Sequence, residues 1–378
     1  MRHTLCELMT SGQQLTIDGT STLTDPSTHL LSYNGTMRLE RVSLVNQIVY
    51  AYIAPVVITS GIIGDVLTIA TLSHPMFKRS SIVYVYLTLL AITDLMMHCS
   101  IIPMVLNFLN YRLCSYSSAI YYAHVGFPLV NALMGSSVWI VVFLTMSQYV
   151  AVCYPLYGDF LRSRRLCFSL FAAAYIINFC IYAPWAAKKT IFQLPKGLLE
   201  CEYLVCETPI ETWFKVYEWI RETISRILPF LLVAFFNVRI LIAYRTRKKN
   251  LQNSLANNKS ALSTQSILFH PENTLQEERR LFVLLFSIII IFCVCTIPAA
   301  PLTIFVSDKH SGNLSFQIFR AIVNVIELTK FALNFYFYCL INPGIRSIFW
   351  QTVRCKQLTV PPLLKGNASV TWSVPNCL

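Results

Sequence analysis

Four ionisable side chains, Asp65, Asp94, Glu327 and Lys330, stand inside long apolar runs of the sequence. Charges in such surroundings are costly, so each is a candidate for function or for a specific contact. Lys330, Asn334 and Tyr338 recur every four residues, which on a helix makes one polar stripe. Two buried carboxylates repel unless a cation lies between them, and Lys330 is the candidate for Asp65 and Asp94. The spacing leaves a second partner open: Glu327, three residues earlier on the same helix. Glu218, Arg221, Glu222 and Arg226 form another charged group, too dense for a turn facing lipid, so water or a polar ligand is expected to reach it. The four-residue spacings Glu218/Glu222 and Glu222/Arg226 also allow these residues to satisfy one another.

Enzyme chemistry is not expected. The sequence holds no paired nucleophile and base, no phosphate-binding glycine loop and no His/Cys metal spacing, so no cofactor or metal is assigned. The histidines are scattered, and His98 and His124 read as single polar side chains near helix ends or facing a bundle.

The elements that carry these residues are seven apolar runs, roughly 49–72, 82–107, 121–152, 166–184, 220–244, 281–306 and 316–341. Each meets or nearly meets the span of about 20 apolar residues that crosses a hydrocarbon core. Their continuity excludes barrel strands, so the fold class is an all-α membrane protein, a seven-transmembrane helix bundle. Prolines at 55, 103, 128, 184, 229 and 298 are expected to kink the spans.

The net charge of +12 invites a nucleic-acid reading, which the placement of the charges excludes. With the amino terminus outside, the cytoplasmic segments and inner span ends hold 17 Lys/Arg against 4 Asp/Glu, and the outward segments with the outer parts of spans five and seven 13 against 12. That asymmetry is the positive-inside signature and puts the carboxyl terminus in the cytoplasm. The expected organisation is an extracellular tail over 1–47, the bundle over 48–342, an amphipathic membrane-surface helix over 343–355 and a cytoplasmic tail over 356–378. The first tail reads as loose and without a cleavable signal peptide. Asn34 and Asn313 begin glycan acceptor tripeptides on the outer side. Cys114, Cys201 and Cys206 fall in outward loops; Cys114 could bridge to either of the others, and Cys6 is also available. The segment from Arg245 to Arg280 reads as a flexible inner loop until helix six begins near Gln276.

From about residue 48 to 355 the chain resembles the rhodopsin-like (class A) G-protein-coupled receptors. The resemblance rests on Gly64-Asp65-Val66-Leu67, Leu90-Ala91-Ile92-Thr93-Asp94, Ser147-Gln148-Tyr149 with the residues on to Leu156, Pro229, Cys295-Thr296-Ile297-Pro298 and Asn334-Phe335-Tyr336-Phe337-Tyr338, in that order. Lys78-Arg79-Ser80-Ser81, Pro128, the Cys201/Cys206 pair, Asn237 and Asn334 to Cys339 are similar to invertebrate FMRFamide-type neuropeptide receptors. Nematode chemosensory receptors share part of this pattern.

The departures are specific. Gln148 stands for the arginine that engages the G protein, Ser147 for its acidic neighbour, Asp65 for an asparagine, Thr296 for a tryptophan and Phe335 for a proline. Glu278 is where the family places the acid that faces that arginine. Ala123 stands where helix three usually begins with cysteine. The resemblance implies sodium binding by Asp94, Ser137 and Asn334, and Lys330 brings its own cation there, so weak or no sodium sensitivity is expected.

The resemblance implies a plasma-membrane receptor for an extracellular ligand, a short peptide, that passes a helix rearrangement to a heterotrimeric G protein. An amidated peptide ending in Arg-Phe would need a carboxylate, with Glu222, Glu327 and Glu218 as candidates, and an aromatic slot, with Tyr122 and Phe305 as walls. Ser147, Gln148, Tyr149, Asn237, Glu278 and Tyr338 form the expected G-protein face. The alternatives are a ligand-binding receptor with weak or no coupling, acting as a scavenger or through arrestin, a chemosensory receptor, and a transporter or channel using Asp65, Asp94 and Lys330 as an ion relay. The absence of an inverted repeat counts against the transporter.

Overall fold

The computed structural model describes residues 44–73, 82–109, 115–154, 163–194, 202–207, 212–257 and 314–353, with Cys6, three short tail strands and single positions between 283 and 295. Among these residues five helices are long and apolar enough to cross a membrane: Val49–Leu72, Ile82–Leu106, Tyr116–Cys153, Arg164–Lys188 and Thr212–Arg247. Span seven is built from Leu314–Ala332 and Asn334–Ile341, which meet at Leu333. Apart from its single positions, span six lies outside the described residues.

Three of the span prolines leave the same local mark. Wide π turns at Val49–Ile53, Tyr121–Val125 and Thr223–Ile227 each stand just before a proline, Pro55, Pro128 and Pro229. Proline lacks an N–H and its ring crowds the carbonyl four residues back, so the preceding turn widens. Pro184 instead sits in the 3₁₀ segment Ala183–Lys188 that ends span four.

Three expectations change. Span three begins at Tyr116, five residues before the apolar run suggests, because the Ser115 hydroxyl caps the helix by accepting from the Ser118 N–H at 3.2 Å. Span five continues to Asn257 instead of giving way to loop near Arg245. The residues from Arg247 to Asn257 include Lys, Leu, Gln and Ala, good helix formers without proline or glycine. The tail, expected to be loose, contains an antiparallel sheet of Thr16–Asp18, Thr22–Thr24 and Leu31–Ser32, with Ile17 opposite Leu23. Its threonines and isoleucine suit extended backbone.

Span three packs against spans two, four and five and forms the centre of the bundle. Small residues allow the approach to span four: a Cβ at Gly135 would meet the Asn178 side chain, and Ser136 Oγ reaches the Ala174 carbonyl at 3.4 Å. Val56, Ile63, Ile176, Leu231 and Val238 stay exposed on the bundle's outer surface, as lipid-facing side chains should. Beyond span four, Lys189–Gln193 pairs with Tyr203–Glu207 as a two-stranded antiparallel sheet with Ile191 opposite Val205. Cys206 of this hairpin is disulfide-bonded to Cys6, tying the tail to it. That bond removes Cys206 as a partner for Cys114; Cys114 and Cys201 lie outside the described residues. Past Asn342, Pro343–Val353 forms a short helix that buries Ile345 and Ile348 against the bundle.

Candidate functional site

The charged group on span five becomes a buried ionic layer. Glu222 is at its centre: Oε1 accepts from Arg221 Nη2 at 2.8 Å and Nε at 3.2 Å, and Oε2 accepts from Arg226 Nη1 at 3.0 Å. Arg226 Nη2 continues across the bundle to Glu327 of span seven, at 3.1 and 3.3 Å from its two oxygens. Arg221 and Glu222 are only 1% and 3% exposed. Charges buried this deeply persist only when paired and hydrogen-bonded. The Glu222/Arg226 spacing was readable in the sequence, whereas the link from Arg226 to Glu327 spans 101 residues. Glu218 meets Lys188 Nζ at 3.7 Å.

Aromatic rings complete the layer. The Arg221 guanidinium carbon lies 4.2 Å from the centre of the Trp185 ring, and Tyr182 and Tyr217 flank it at 5.8 and 5.9 Å. Tyr122, proposed as an aromatic wall, carries Lys189 Nζ at 4.1 Å from its ring centre; Phe127 lies on the same ammonium at 4.2 Å. Phe305 lies outside the described residues. Each described carboxylate or ring named as a ligand contact thus meets a cation of this chain. Lys188, Lys189 and Trp185 were missed as site residues; their signal was two lysines and a tryptophan directly after an apolar run.

One or two turns deeper, the polar stripe of span seven meets span two. Asp94 is fully buried, accepting from Ser137 Oγ at 2.6 Å and from Asn334 Nδ2 at 2.7 Å. Asp65 pairs with His98, Oδ2 to Nδ1 at 2.9 Å. His98, read from sequence as a single polar side chain, is therefore a member of this cluster. Its signal was its position four residues after Asp94, on the same helix face. The Nε2 edge of the imidazole lies against Gly61, where any Cβ would collide with the ring. The Lys330 ammonium sits 4.3 Å from the Phe331 ring centre. Tyr338, one turn beyond Asn334, is buried.

At the opposite end from the hairpin, Ser147 donates to the Leu144 carbonyl of its own helix at 2.7 Å. Gln148 is partly buried, and Tyr149 packs on Phe236 of span five with ring centres 5.3 Å apart. Asn237 Nδ2 donates to the Val233 carbonyl at 2.6 Å, while its Oδ1 is buried without a hydrogen bond. Arg247, on the extended part of span five, donates to the Val152 carbonyl at 2.5 Å. A cation at a helix carboxyl end is favoured by the helix dipole. Glu278, Asn34 and Asn313 lie outside the described residues.

Sequence comparison bears on the whole arrangement. The family model described as 7 transmembrane receptor (rhodopsin family) matches residues 64–345. Among similar curated proteins, probable G-protein coupled receptor B0563.6 of Caenorhabditis elegans is 29% identical over 322 residues, covering 82% of this chain and 70% of that protein. Probable G-protein coupled receptor AH9.1 of the same organism is 29% identical over 342 residues, covering 87% and 81%. The FMRFamide receptor of Drosophila melanogaster is 24% identical over 307 residues, covering 76% of this chain and 51% of that protein.

Proposed function

Because this chain belongs to the rhodopsin family of seven-transmembrane receptors, we propose that it is a plasma-membrane receptor for a short extracellular peptide, coupled through its cytoplasmic end to a heterotrimeric G protein. The buried ionic layer joining spans five and seven carries this reading. A ligand contacting that layer would bias how two spans pack, and differential affinity for two packings is what drives a conformational shift. The likeness to the fly FMRFamide receptor supports a short peptide as ligand.

The disulfide and the charges support an orientation with the amino terminus outside. Cys6 and Cys206 bond on the face that carries the hairpin, and disulfides persist on the oxidising, extracellular side. Arg164, Arg165 and Arg247 lie at the other end of the spans, as expected of a cytoplasmic face. The amino-terminal tail is then extracellular, with Asn34 and Asn313 as glycan acceptors, and the carboxyl-terminal tail is cytoplasmic.

A second reading follows from the inner end. With Ser147 bonded to its own helix and Gln148 uncharged, this end lacks the arginine that engages a G protein in the family it resembles. A receptor of this kind binds ligand and acts as a scavenger or through arrestin. The test is expression with a generic G-protein readout, a panel of short peptides including Arg-Phe-amide endings, and the Gln148→Arg variant in parallel. A peptide response in the native chain supports a coupled receptor. A response only from Gln148→Arg supports the second reading. Silence from both, with surface expression demonstrated, overturns the peptide assignment.

A further inference from the structure

Hydrogen-bond accounting in the layer below the hairpin comes out short of an acceptor. Arg221 Nη1 is buried with no hydrogen-bond partner, although Nη2 and Nε of the same guanidinium are engaged by Glu222. Trp185 Nε1, on the ring stacked against that guanidinium, is a second buried donor with no partner. Both atoms can only donate, so what they lack is an acceptor. A buried cationic donor left unsatisfied costs more than a neutral one, and a carboxylate is the group whose paired oxygens match a guanidinium edge.

We propose that the ligand of this receptor anchors here through a carboxylate, received by the free edge of Arg221 and the Trp185 indole N–H. This rests on the receptor reading above and sharpens it: the anchoring charge on the ligand is negative, because Glu218, Glu222 and Glu327 already hold the chain's own cations. An acidic side chain and a free peptide carboxyl terminus supply the same group.

Four capped dipeptides distinguish these sources by thermal unfolding of the purified full-length receptor in detergent. N-acetyl-Asp-Phe-amide carries a side-chain carboxylate, N-acetyl-Asn-Phe with a free carboxyl terminus carries a terminal one, N-acetyl-Asn-Phe-amide carries neither, and N-acetyl-Arg-Phe-amide is cationic. At concentrations well above its dissociation constant, at least one carboxylate probe is expected to raise the midpoint by about 3 °C. The neutral and cationic probes are expected to leave it unchanged. Arg221→Gln abolishes the shift, and Trp185→Phe, which keeps an aromatic ring beside Arg221 while removing the N–H together with part of the indole, reduces it at least threefold in apparent affinity. The inference is overturned by equal shifts from neutral or cationic probes, by no shift from either acid, or by an acid shift that survives in both variants. A silent peptide panel alongside a carboxylate shift lost in Arg221→Gln would instead count against the peptide assignment and leave the anion site standing.

Discussion

Replacing Glu222 with glutamine tests the ionic layer at its centre. The carboxylate accepts three hydrogen bonds from two arginines, at 2.8, 3.0 and 3.2 Å. Glutamine keeps the shape and one acceptor oxygen but removes the charge. Arg226 retains Glu327, whereas Arg221 keeps no other carboxylate contact among the described residues. Breaking a buried ion pair by removing one member costs roughly 3–5 kcal/mol, and the remaining amide oxygen places this change near the lower end, about 3 kcal/mol. At about 2–4 °C per kcal/mol for a protein of a few hundred residues, the unfolding midpoint falls by about 6–12 °C. The assay is thiol-dye thermal unfolding in detergent, for which the buried Cys167 serves as reporter. Adding Arg221→Gln to Glu222→Gln removes the stranded cation and should recover at least half of the loss, a coupling that a double-mutant cycle measures. A drop of less than about 1 °C for Glu222→Gln, or a double variant as unstable as the sum of the two singles, refutes the argument.

Gly61→Ala drives a methyl group into the His98 imidazole and should cost about 1–3 kcal/mol, with His98→Ala in the same chain restoring most of the midpoint. Because Cys6 is bonded to Cys206, a protease cut in the tail should release the amino-terminal fragment only after reduction; in Cys206→Ser the fragment should leave without reductant. A gel run with and without reductant reads both outcomes. Replacing choline with sodium at constant ionic strength should leave ligand affinity within about twofold, because Lys330 already brings a cation into this region. A tenfold change under that exchange would show that Asp94, Ser137 and Asn334 hold sodium.

Much of the architecture is dictated locally. A bilayer gives the backbone no hydrogen-bond partners, so long apolar runs must be helices, and their number, proline kinks and inner charge bias follow from composition along the chain. The stripe of Lys330, Asn334 and Tyr338 and the Glu222/Arg226 pair are also local, being fixed by helix periodicity. What the sequence could not determine is which distant charge each of these meets. Arg226 to Glu327, Asp94 to Ser137 and Asn334, and Asp65 to His98 join residues on different spans, set by the angles at which kinked helices cross. Helix periodicity also gave no sign of Lys188 and Lys189, which reach Glu218 and the rings of span three only because span four ends in a 3₁₀ turn beside span five. Cysteine pairing was equally beyond the sequence: Cys6 and Cys206 are 200 residues apart, and only the packing of the tail against the hairpin brings their sulfurs together.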